Sequence, residues 1–108
     1  MGDYTFEKGK EIIRAGSHGK SAFIIKKGSV EVSIKNKYGK KQVLAVLRES
    51  EVFGEMALIE SKPRTATVIA LEECVCTVLT KEMFEKLPDS NPGVQAIKKI
   101  MRKRLMGR

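Results

Sequence analysis

The residues best suited to chemistry in this chain are Gly54, Glu55, Met56 and Ala57, followed closely by Arg64, Thr65 and Ala66. Met56, Ala57 and Leu58 favour helix, and Pro63 limits that helix to about two turns. A helix starting at Gly54-Glu55 turns free N–H groups and partial positive charge toward an anion. Gly54 has no side chain to block a close approach of the backbone. Arg64 brings a planar fork of donors that fits a phosphate through two bonds. Thr65 adds a hydroxyl, and Ala66 is small enough to leave its N–H accessible. A carboxylate is out of place beside an anion, so Glu55 points to a ligand that also presents hydroxyls, as a ribose does.

The plain alternative for Glu55 and Arg64 is a surface ion pair beside a turn. Other reactive residues stand alone. His18 sits in a glycine turn without a His, Cys or Asp cluster and reads as a solvated loop residue. Cys74 and Cys76 share one face of a strand, cannot easily bridge each other, and read as small core residues. Met56, Met83, Met101 and Met106 read mainly as packing. With no His–Cys or His–Ser pair and no metal-ligand cluster, catalysis is not expected.

The elements that position these residues follow from pattern. Glu11 to Arg14, between Gly9 and Gly16, reads as a short strand, and Ser17-His18-Gly19 as the next turn. Ala22-Phe23-Ile24-Ile25 is a buried strand run. Val30, Val32 and Ile34 alternate with polar residues, the period of a half-exposed strand. Asn36 to Gly39 makes a hairpin turn, and Gln42 to Leu47 returns. After the interruption at residues 52–59, strands resume over Thr65 to Leu71 and Val75 to Leu79. Thr80 caps a helix over about 81–87, which Pro88 stops. Asn91 and Pro92 open a second helix over about 92–106, with Val94, Ile97, Met101 and Leu105 on one face. This is a mainly β chain, an antiparallel sandwich or barrel over about 4–79, followed by two helices.

The chain has 108 residues, a length suited to one domain, and carries a formal charge of +8. That charge is uneven: residues 20–41 and 91–108 each contribute +6, whereas residues 42–90 sum to −4. A uniform basic face for nucleic acid is not the result. Lys35 to Lys41 reads as a solvated hairpin tip, and the basic last helix mainly as a solvated face. No apolar run approaches the ~20 residues of a membrane span. No secretory signal is visible, and two Cys make no disulfide framework, so the cytoplasm is the expected location.

Phe53-Gly54-Glu55-Met56-Ala57-Leu58-Ile59, four residues, then Pro63-Arg64-Thr65-Ala66-Thr67 resembles the phosphate-binding cassette of cyclic-nucleotide-binding domains without a gap. Gly9, the Gly16 to Gly19 turn, Phe23-Ile24-Ile25 and Gly28 to Val32 are similar to that family's first strands. The resemblance covers residues 5 to about 87. It implies a β-roll of jelly-roll type with a short helix in the cassette, and a non-catalytic regulatory sensor of cAMP or cGMP. By the same resemblance, Glu55 would accept the ribose 2′-OH and Arg64 would pair with the phosphate oxygens. The N–H groups of Ala57 and Ala66 would complete the cradle, with Gly54 close to the ribose. Thr65 stands where family members differ, and permits either nucleotide. The last helix would form a lid over the base through an apolar residue such as Ile97, Ile100 or Met101.

Two departures accompany the resemblance. Family members usually begin with helices before the first strand, whereas Met1 here lies three residues from it. The turn at Ser17 to Lys20 lacks the acidic residue often found there, and is read as structural. No helix-turn-helix, kinase or channel segment follows within the 108 residues. Two other functions compete: a nucleic-acid binder using Lys98 to Arg104, and a degenerate fold that serves only assembly. Besides the nucleotide, an effector domain or a second copy is the partner expected at the last helix. No cofactor or metal is expected.

Overall fold

The computed structural model describes residues 2–60 and 62–106, the last three as backbone only. Met1, Arg108 and the side chains of Arg104, Leu105 and Met106 therefore lie outside the described part. Among the described residues, eight strands form two antiparallel sheets. The strands are β1 (Gly2–Phe6), β2 (Glu11–Ile13), β3 (Ser21–Lys27), β4 (Val30–Lys35), β5 (Lys41–Leu47), β6 (Val52–Phe53), β7 (Thr67–Ala70) and β8 (Cys74–Thr80). One sheet has the order β1-β8-β3-β6 and the other β2-β7-β4-β5. This is the mainly β roll with jelly-roll order expected above. A 3-10 helix, Glu55–Leu58, interrupts the strands, and α1 (Lys81–Lys86) and α2 (Pro92–Met106) close the chain.

Alternation along β3 explains how the layers stack. Phe23 and Ile25 point between the two sheets, joining Val30, Phe53, Val68 and Cys76. Phe23 stacks on Phe53 at 4.9 Å. Ala22 points the other way, into a second cluster with Val52, Leu58, Leu79, Val94, Ile97 and Met101. Both faces of β3 are covered, so its apolar run is continuous rather than alternating. The helices end where their caps dictate. Met83 N–H donates to Thr80 Oγ1 at 3.1 Å at the start of α1, and Leu87, ahead of Pro88, is already extended. Asn91 Oδ1 accepts from the N–H groups of Gly93 and Val94.

Several boundaries differ from the expectation. β1 starts at Gly2 and pairs with β8 along its length; four of its five residues are exposed, so its periodicity is faint. The strand expected from Thr65 begins at Thr67. The helix of the cassette is a single 3-10 turn, and α1 ends one residue early, at Lys86. Among the described residues, no helix is long and apolar enough to cross a membrane.

Candidate cyclic-nucleotide site

A cleft of about 280 Å3 opens where the 3-10 helix, the segment before β7, and strands β2, β4 and β7 meet. Its walls include all seven site residues expected from sequence: Gly54, Glu55, Met56, Ala57, Arg64, Thr65 and Ala66. Ile13, Val32 and Val68 add apolar surface, with Val32 and Val68 directly paired across β4 and β7. Glu60, Lys62 and Pro63 complete the rim.

The local backbone explains the placement of the charges. Gly54 caps the 3-10 helix in the left-handed region, at φ 74°, which an L side chain adopts only with strain. That turn directs the Gly54 carbonyl at Arg64, whose Nη1 donates to it at 2.9 Å. Arg64 Nη2 donates to the Ser21 carbonyl at 2.8 Å. Two neutral acceptors thus hold the guanidinium while leaving its charge uncancelled by them. Ala57 N–H reaches the same Gly54 carbonyl at 3.3 Å, so this donor is engaged, at long range, within the turn.

Arg64 is half-buried, and burial pulls its pKa below the ordinary guanidinium value, while the Glu55 carboxylate pushes it back up. It stays charged at neutral pH. Glu55 is 1 % exposed, the first residue of the 3-10 helix and the most deeply buried acid of the cleft. The site therefore combines a fixed cation, a buried carboxylate and an apolar wall. That set can hold an anion, accept from a hydroxyl and cover a flat ring.

The Ser17 to Lys20 turn does more than the sequence reading allowed. Arg64 N–H donates to the Ser17 carbonyl at 2.7 Å, and Gly16 N–H to the Arg64 carbonyl at 2.7 Å. Gly19 lies against the guanidinium itself. The sequence pattern does not reveal this approach, because what Gly19 contributes is empty space. The lid candidates are elsewhere: Ile97 and Met101 are buried in the second cluster, Ile100 lies partly buried beside them, and none of the three lines the cleft. Cys74 and Cys76 are both buried and free, with Cys74 Sγ 3.0 Å from the Ser29 carbonyl.

The family model described as the cyclic nucleotide-binding domain matches residues 4–91. The chain belongs to the cyclic-nucleotide-binding domain family. A cGMP-dependent protein kinase of Eimeria tenella is 36% identical over 83 residues, covering 77% of this chain and 8% of the kinase. A cAMP-dependent protein kinase regulatory subunit of Mucor circinelloides is 37% identical over 82 residues, covering 76% of this chain and 19% of that protein. The crystal structure of the Thermus thermophilus catabolite activator protein superposes with a TM-score of 0.85 at 26% identity, covering 98% of this chain and 50% of that one. The chain thus spans less than a fifth of these two curated relatives.

Proposed function

We propose that this chain binds cAMP or cGMP in the cleft and acts as a regulatory module rather than an enzyme. The observation that carries the reading is Arg64, held by two carbonyls beside the buried Glu55 in a cleft with an apolar wall of Ile13, Val32 and Val68. The cyclic phosphate takes the remaining donors of the guanidinium, and Glu55 accepts from the ribose 2′-OH. Ala57 and Ala66 supply backbone N–H groups at the phosphate, and Gly54 leaves room for the sugar. The base lies toward Ile13, Val32 and Val68, with Thr65 at the rim able to bond either purine. Relatives named for cAMP and for cGMP both support the ligand class.

The output runs through Leu58. It belongs to the 3-10 helix and packs in one cluster with Ile97 and Met101 of α2. Phosphate capture that shifts the 3-10 helix therefore moves the helix carrying the lid candidates, with Ile100 at its margin. In this reading residues 1–108 act as one domain, in the cytoplasm, coupled to an effector domain or a second copy through α2.

Calorimetric titration of cAMP and cGMP into wild type and Arg64→Ala tests the assignment. Removing the cation from a desolvated pocket costs about 2–5 kcal/mol, at ~1.4 kcal/mol per decade of affinity. Equal affinity in the two proteins rejects it.

A further inference from the structure

Beside the cleft lies a smaller hollow of about 120 Å3. The two share Ala57, Glu60 and Lys62, and the smaller one adds His18, Lys20 and Lys81. They differ in charge. In the cleft, Arg64 and Lys62 face Glu55 and Glu60, and the signs balance. The hollow is lined by three lysines and, of the acids, by Glu60.

These lysines come from distant parts of the chain and are brought together by the backbone. Lys81 N–H donates to the Lys20 carbonyl at 2.6 Å, tying the start of α1 to the residue ahead of β3. Among the described residues, the ion pairs involve Arg14, Lys26, Lys41, Lys86 and Lys98, and none involves Lys20, Lys62 or Lys81. The guanidinium of Arg64 lies against Gly19, whose backbone lines the hollow, so a fourth positive charge stands behind that wall. Like charges gathered in a concave site raise the local potential and concentrate anions there.

We propose that this hollow is a second anion site that takes a compact, multiply charged phosphate group. The hollow is less than half the volume of the cleft and suits a compact group such as a phosphate. Lys20, Lys81 and His18 line the hollow and not the cleft, so substitutions there separate the two sites. The phosphate comes either from a free inorganic anion or from a monoester on a larger molecule. Inorganic pyrophosphate and glycerol 3-phosphate represent the two sources.

The experiment is an amide NMR titration of the whole chain with each probe, at low salt. Shifts should centre on Gly19, Lys20 and Lys81. Pyrophosphate affinity should fall about tenfold in Lys20→Gln/Lys81→Gln, and should weaken steeply with added salt, as exposed charge interactions do. The probe that binds more tightly identifies the source. cAMP affinity of the double variant should stay within about twofold of wild type, because neither lysine lines the cleft. Pyrophosphate affinity unchanged by the double variant overturns the proposal, as does the absence of binding to wild type. So does a loss seen only in Arg64→Ala, which places the anion in the cleft. Failure of cAMP to bind wild type rejects the cyclic-nucleotide reading and leaves this one intact.

Discussion

The guanidinium of Arg64 lies directly against Gly19. A methyl group on Gly19 would stand 2.5 Å from Arg64 Nη2 and 2.9 Å from Nε, distances that real contacts do not tolerate. The obstructing atoms belong to a side chain rather than to backbone, so the fold can yield by letting the guanidinium move. Gly19→Ala should therefore cost ~1 kcal/mol or less in stability. Displacing the guanidinium from the Ser21 and Gly54 carbonyls should lower cyclic-nucleotide affinity about tenfold or more. Chemical denaturation and calorimetry on one preparation separate the two effects. A large stability loss with unchanged affinity would make Gly19 purely structural.

Glu55→Gln tests the hydroxyl acceptor. Glutamine keeps the volume of a residue that is 1 % exposed, and so avoids a cavity. It removes the charge that opposes the lowering of the Arg64 pKa. A charge-assisted hydrogen bond to the ribose is worth ~1.5–3 kcal/mol, so affinity for cAMP should fall about tenfold or more. For the 2′-deoxy analogue, which has no hydroxyl to offer, the same substitution should have a much smaller effect. Equal losses for both nucleotides would remove the ribose contact from Glu55.

The cassette was legible in sequence because its residues are contiguous in two short stretches, and their chemistry survives without knowledge of the fold. The sheets were legible where one face is buried, as in β4, or where both are, as in β3. What sequence concealed depends on approach between distant segments. Gly19 matters through a side chain contributed by another turn. Lys20 lies in a basic stretch, whereas Lys62 and Lys81 lie in a net acidic one, so charge counted by segment hides the hollow they form. The sequence places the start of β1 at about residue 4 rather than Gly2, because an exposed edge strand shows little apolar alternation and its pairing with β8 defines it. The strand after Arg64 starts late because the Arg64 backbone is already bonded to Gly16 and Ser17.

Ile97 and Ile100 lie one turn apart on α2 in different environments. Ile97 is 0% exposed within the second cluster, whereas Ile100 packs at its margin. Ile97→Ala should destabilise the fold by about 2–5 kcal/mol, the usual cost of a buried cavity. Ile100→Ala should cost ~1 kcal/mol, as partial burial implies. Urea denaturation with and without saturating cAMP measures both. If Ile100 covers the base in the bound state, its substitution should reduce the stabilisation given by cAMP more than it reduces the stability of the free protein.

Alkaline pH should weaken the fold through its cysteines. Burial, aided by the neighbouring Cys74, raises the Cys76 thiol from 9.0 to about 11, and burial also raises Cys74. Below the unfolded value both states hold the proton, and the thiol contributes its full share. Between that value and the folded one, the unfolded chain releases a proton that the native chain keeps, so stability falls as pH rises. For one such group the slope is at most ~1.4 kcal/mol per pH unit. The informative quantity is the difference between wild type and Cys76→Ala. The variant should be less stable at pH 8 because of its smaller side chain, yet lose less stability from pH 9 to 11. Parallel curves for the two proteins would show that the Cys76 thiolate forms as easily in the fold as in the unfolded chain, contrary to its burial between the sheets.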